Sequence, residues 1–265
     1  MIDLDDNAFR RTWILFDGAA FDAPRFIYEH DDQPELDYLY LGTPHESVLE
    51  VSPCLVKPSL SSQIWSEQVK WQKHAVVLMS DESMPALADH LRSLLSVKLP
   101  DGAYSYLRFY SPKQLGRLME VFSEPEREKF SGPITDWLAI QNSGEWLRFR
   151  TDGEMPSRQA SDEGWFVLAD RHIQALADKA REEFVTRLAR YLSISDSSRL
   201  NALIQKANSF GFSTEKDVSR YTELAVVHGA RIEHPELQTI LSKSDMPTGT
   251  RLSEVDKRLA YGVAR

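Results

Sequence analysis

Histidines, cysteines and paired carboxylates are the residue types most able to do chemistry, and their spacing here argues against a reaction. The sequence holds seven His and one Cys. His45-Glu46 begins the H-E-x-x-H pattern of a zinc hydrolase, but no second His follows at the helical spacing that zinc needs. His228 and His234 are separated by a Gly-containing stretch, a poor geometry for a shared metal ion. Cys54 stands in the apolar run Pro53-Cys54-Leu55-Val56 and reads as a small buried hydrophobe, not a nucleophile. Being alone, it forms no internal disulfide and no cysteine pair for a metal, which fits a reducing cytoplasm. No G-x-S-x-G elbow, phosphate-binding loop or G-x-G-x-x-G motif occurs. The expectation is a protein that is not an enzyme, with no catalytic residue, no metal site and no cofactor.

Other residues point to contact with a partner. The acids of residues 29–37 can imitate a general acid and base, but without an apolar setting they read as solvated surface. Asp31, Asp32, Glu35 and Asp37, with Tyr38 and Tyr40 behind them, form a candidate surface that steers a basic or polar segment and anchors it on aromatic rings. Trp65 and Trp71 do not share one helical face, and an exposed Trp65 is a further anchor. His90 and Arg92 flank an apolar stripe. They are either a half-buried histidine with an ion-paired arginine, or part of the partner surface. Arg108 stands among tyrosines, where an unpaired buried charge costs several kcal/mol. The reading is a buried structural pair with Asp17, and Ser111 belongs to the same structural core as a helix cap.

Residues 87–122 carry the strongest fold signal among the elements that position these groups. Met84, Leu87, Leu91 and Leu94 recur at helical spacing behind the cap Ser83 and Pro85. Pro100-Asp101-Gly102 is a turn by composition. Tyr104 to Tyr110 reads as an interior strand, bulky on both faces. Ser111-Pro112-Lys113-Gln114 reads as a capping box that opens a helix with Leu115, Leu118, Met119 and Phe122 buried. Upstream, residues 13–16, 36–41 and 74–79 read as strands, with a short helix after Pro44 and another from Ser61 or Ser62 through Trp71. Glu126 to Phe130 reads as a short helix and Trp146 to Phe149 as an edge strand.

Composition then shifts. All six Trp lie at or before Trp165, and residues 157–234 contain no Pro, as a run of helices would. Ile173, Leu176, Ala180, Phe184, Leu188 and Tyr191 make one amphipathic stripe, and four further helices follow. The expected fold is an α/β N-terminal lobe, a mixed sheet with covering helices, plus an all-α C-terminal lobe. The expected domains are residues 1–160 and 161–265.

The net charge is −9. Residues 1–50 carry all of it, with Asp3, Asp5 and Asp6 among their acids, so phosphate backbones are repelled and nucleic acid is not an expected partner. The opening MIDLDDNAFRR has no signal-peptide pattern, and no apolar run is long enough to span a membrane. A cytoplasmic protein without a membrane partner is expected.

Several ordered blocks resemble a known family. His90-Leu91-Arg92, Leu99-Pro100-Asp101-Gly102, Leu107-Arg108-Phe109-Tyr110-Ser111-Pro112 and Phe130-Ser131-Gly132-Pro133-Ile134 are similar to an uncharacterised-domain family of bacterial type VI secretion. Leu15-Phe16-Asp17-Gly18-Ala19 and Pro53-Cys54-Leu55-Val56 resemble its opening blocks. Ser111 stands where the family usually has Asp, and both are good N-caps. The resemblance implies a non-enzymatic adaptor chaperone that binds the N-terminal segment of a cognate effector and loads it onto the VgrG spike protein. The alternatives are a hydrolase-type enzyme using surface carboxylates, and an immunity protein that neutralises a toxin. An effector segment is expected in a groove where two dissimilar lobes join.

Overall fold

The computed structural model describes residues 9–262; Asp3, Asp5, Asp6 and the start of the chain lie outside them. The chain divides into two compact units between Leu176 and Ala177.

The first unit is built on a six-stranded sheet of order β2-β3-β1-β4-β7-β8. Its strands are β1 (Thr12–Phe16), β2 (Glu35–Tyr38), β3 (Cys54–Lys57), β4 (Ala75–Met79), β7 (Asp136–Ile140) and β8 (Trp146–Arg150). Every neighbouring pair runs antiparallel. Helices α1 (Ala23–His30), α2 (Gln68–Trp71), α3 (Met84–Ser93), α4 (Pro112–Val121) and α5 (Glu124–Ser131) cover it. Side chains alternate between the faces of a strand, so each strand feeds two cores. Trp13, Leu15, Val76, Leu78, Trp137 and Ala139 pack with Leu91 of α3, Leu118 of α4 and Phe130 of α5. Ile14, Phe16, Val77 and Leu138 pack on the other face with Phe26 of α1 and Trp71 of α2. Strands β1, β4 and β7 are buried at every position, which is why residues 13–16 and 74–79 read as apolar runs, whereas β7, opening on Asp136 behind Gly132-Pro133, lies in a stretch whose pattern is ambiguous.

The 104–110 segment departs from its expected form. Only Tyr104–Tyr106 is extended, as β6, and it pairs with β5 (Ser96–Lys98) in a separate two-stranded sheet. The Leu107 N–H donates to the Leu95 carbonyl and the Ser111 N–H to the Arg108 carbonyl, turning the chain toward α4. Tyr104 is exposed, so this is not an interior strand. Ser111 does hold the N-cap position of α4, but its side chain makes no capping hydrogen bond. A reciprocal capping box forms one helix later, between Ser123 and Glu126 at the start of α5. The helix expected from Ser61 reduces to α2, because residues 62–67 form successive turns that the Trp71 indole N–H ties down at the Ile64 carbonyl, 2.8 Å away.

Helix α6 (Asp170–Tyr191) runs from the first unit into the second. Its stripe is not one continuous buried face: Leu176 packs in the first unit's core, whereas Phe184 and Leu188 pack in the second's. Ile173 and Tyr191 are exposed. The second unit is all-helical, with α7 (Ser197–Ser209), α8 (Glu215–His228), α9 (Pro235–Leu241) and α10 (Thr248–Tyr261). Asp196 caps α7 by accepting from the Ser198 and Arg199 N–H groups, and Thr214 caps α8 by accepting from that of Asp217. Leu200, Ile204, Tyr221, Leu237, Leu252 and Val255 form its own core.

Candidate partner-binding surface

Strand β2 and its flanks bring most of the predicted contact residues to one edge of the sheet, but in unequal states. Asp32 and Glu35 are exposed. Asp31 is not part of that surface. It is buried and accepts from the backbone N–H groups of Gln33 at 3.0 Å and Ser59 at 2.8 Å. Burial alone would raise its pKa, but the Ser59 and Gln33 hydrogen bonds outweigh burial and hold it below the ordinary carboxylate value. Its work is to fix the turn that precedes β2.

Asp37 and Arg92 are engaged with each other. An Arg92 Nη2 donates to Asp37 Oδ1 at 2.6 Å and to the Tyr38 carbonyl at 3.1 Å, while Nη1 reaches Asp89 at 3.1 Å. The arginine thereby adds a second donor to an edge-strand carbonyl that also accepts from the Leu41 N–H, which helps close that edge to unwanted pairing. Tyr40 is buried, and its hydroxyl meets those of Tyr106 at 2.5 Å and Tyr110 at 3.4 Å. Burial raises the pKa values of Tyr106 and Tyr110, so these two phenols stay neutral. Trp65 is half-buried and edge-on to Trp71 at 5.6 Å.

His90 is fully buried and cannot touch a partner. Its Nε2 lies 3.2 Å from the Phe130 carbonyl and its Nδ1 accepts from the Arg158 N–H at 3.2 Å. The ring packs against Gly132, where a Cβ would come within 2.4 Å of it. The apolar stripe of α3 points inward, and His90 is carried in with it. Arg108 Nη2 donates to Asp17 Oδ2 at 2.6 Å, but the Arg108 side chain is 49% exposed while Asp17 is buried. The expected burial of Arg108 fails because the residue sits in the turn after β6, outside any sheet.

A cavity of about 370 Å³ opens beside β2, lined by Gly18, Phe21, Asp22, Tyr38, Glu50 and Cys54 among others. Two of the family-like blocks, Leu15 to Ala19 and Pro53 to Val56, meet at its wall. Gly18 permits this close approach, since a Cβ there would lie 2.0 Å from the Ser52 carbonyl oxygen. Burial, then the Asp37 charge, pushes the Cys54 thiol up to about 12, so it is protonated at neutral pH and unsuited to nucleophilic attack. Asp22 and Glu50 did not stand out in the sequence from the other acids; only the folding of the Gly18–Asp22 turn against residues 50–54 distinguishes them.

Groups capable of catalysis meet elsewhere in the wrong order. Ser123 Oγ donates to Glu126 Oε2 at 2.6 Å, and Glu126 Oε1 lies 3.1 Å from His172 Nε2. The carboxylate separates the hydroxyl from the imidazole, so the histidine cannot take the serine proton. No group of three or more metal-ligating side chains occurs among the described residues.

Residues 12–129 match a family described as a domain of unknown function, DUF4123. The chain is 22% identical over 279 residues to the accessory protein VasW of Vibrio cholerae serotype O1 (strain ATCC 39315 / El Tor Inaba N16961), an alignment that covers 98% of this chain and 90% of that protein. No solved structure matches it. The DUF4123 match thus falls on residues 12–129, which hold all but the last, Phe130 to Ile134, of the sequence blocks that resemble type VI secretion adaptor domains.

Proposed function

We propose that the chain is a non-enzymatic adaptor chaperone of type VI secretion that binds the N-terminal segment of a cognate effector and promotes its loading onto the VgrG spike. The observation that carries this reading is the DUF4123 match over residues 12–129, joined to a likeness to VasW that runs through both units. The exposed acids Asp32 and Glu35, and the open cavity beside Tyr38, supply a surface of the kind an adaptor needs. No described helix is long and apolar enough to cross a membrane, which is compatible with work in the cytoplasm.

The test is recovery of partners on the tagged full-length chain from lysate of the source bacterium, identified by mass spectrometry. The expected result is one effector together with VgrG, and loss of that effector from the secreted fraction when the chain is deleted. Recovery of neither protein, with secretion unchanged on deletion, overturns the reading.

A further inference from the structure

The cavity beside β2 has a specific chemical character. Asp22 and Glu50 are both exposed at its lining, and neither carboxylate makes a hydrogen bond or ion pair with a described residue. Asp22 occupies the N-cap position of α1, where an aspartate ordinarily accepts from the first backbone N–H groups, yet its side chain makes no such bond. The cation that feels its charge, Arg25, is held by Glu29 at 2.9 Å. Among the described residues, no lysine or arginine lines the cavity. The cavity wall is otherwise small or apolar, with Gly18, Ala19 and Ala20 leaving space and Phe21 and Pro24 offering carbon surface. Tyr38 adds a phenol without a hydrogen-bond partner, and Tyr28, 64% exposed, stands near enough to influence its ionisation.

A cavity with carbon walls and unmatched negative charge complements a long aliphatic stem that ends in a cation. We propose that it receives one lysine or arginine side chain from the protein partner, the stem lying against Phe21 and the alanines and the charged head meeting Asp22 and Glu50. This inference rests on the adaptor reading for the partner's identity, but the cavity's chemistry is testable without any effector. Asp17, Asp31 and Asp37 of the first unit already have partners, and the exposed Asp32 and Glu35 do not line this cavity.

The experiment titrates Nα-acetyl-arginine amide and Nα-acetyl-lysine amide into the ¹⁵N-labelled full chain and follows amide shifts. Nα-acetyl-citrulline amide and Nα-acetyl-norleucine amide serve as uncharged counterparts. Saturable shifts at Gly18 to Asp22, Tyr38 and Glu50 to Ser52 are expected with the cationic probes and not with the neutral ones. An Asp22→Asn/Glu50→Gln variant with an otherwise unchanged spectrum should lose them. Absence of saturable shifts up to the solubility limit, equal shifts from citrulline, or shifts that persist in the variant each overturn the proposal. If an effector is recovered on the unaltered chain, the same variant should retain at least tenfold less of it. Undiminished capture refutes the cavity's role while leaving the adaptor reading intact, whereas failure to recover any effector counts against the adaptor reading and leaves the probe titration to decide the cavity.

Discussion

At Nδ1 the His90 ring accepts from a backbone N–H, so its proton sits on Nε2 and points at the Phe130 carbonyl. Protonation of Nδ1 would break the first bond inside a fully buried site. Burial lowers the His90 pKa first and the Arg158 charge adds to it, against the raising effect of the Phe130 carbonyl, to about 4 from 6.5. A histidine whose folded pKa is depressed contributes no penalty above 6.5. Below that, the unfolded chain takes up the proton and the folded chain does not, so stability is lost as pH falls from 6.5 and the loss levels off near 4. The full difference is about 3 kcal/mol. His90→Gln keeps a donor and an acceptor without the titration, so its melting temperature should fall less than the unaltered protein's between those pH values, read by calorimetry. Parallel curves would show that His90 does not carry the effect. The block His90-Leu91-Arg92 is therefore structural in two ways, since Arg92 fastens the β2 edge through Asp37. The Arg108–Asp17 pair is half in water, so it stabilises less than a buried pair of the same length.

Among the elements, the sequence was most legible where one local rule acted alone. Strands β1 and β4 showed as compact apolar runs because both faces of the sheet are covered, and β8 showed as an edge. Helices α7 and α8 showed through their caps and stripes. Residues 104–110 misled because alternating bulky side chains satisfy a strand pattern, while their backbone bonds go to Leu95 and into a turn. The state of the β2 acids was equally hidden: whether an aspartate is solvated, paired or buried depends on Ser59 and Arg92, residues remote in the chain. Arg251 is the element-scale feature no periodicity announced. It is buried in the first turn of α10, stacked 4.8 Å from the Phe212 ring, and its Nη1 donates to the Phe210 carbonyl at 2.9 Å and the Leu241 carbonyl at 2.5 Å. These carbonyls lie at the C-terminal ends of α7 and α9, where helix dipoles favour a cation. Arg251→Met keeps the stem and deletes both bonds. It should lower unfolding stability by about 2–4 kcal/mol, since hydrogen bonds to charged groups contribute about 1.5–3 kcal/mol and buried acceptors are left unpaired. Urea denaturation followed by circular dichroism measures this, and a change below about 0.5 kcal/mol, the range of neutral surface substitutions, would show that the brace is dispensable.

For the molecule as a whole, the informative quantity is how its apolar side chains are shared out. The buried residues around the sheet and those of the helical unit form separate clusters with no common member. Helix α6 belongs to both units, yet none of its residues between His172 and Leu188 is fully buried. Its first turns are pinned within the first unit, where His172 and Arg171 contact Glu126 of the α5 capping box. Its later turns are held within the second, by Phe184 and Leu188 in the core and by Arg187 on Glu215 at 2.7 Å. An isolated helix of this composition is marginal in water, so its middle depends on being anchored at both ends. The second unit should nonetheless fold by itself, because its core, its caps and the Arg251 brace lie entirely after residue 177. A fragment of residues 177–265 is expected to be helical and to melt in one cooperative transition, with the turns before Phe184 frayed. Circular dichroism gives the melt, and amide hydrogen exchange should show protection across α7–α10 and fast exchange at the α6 end. A broad, non-cooperative melt would mean that the helical unit requires the sheet unit to complete its core.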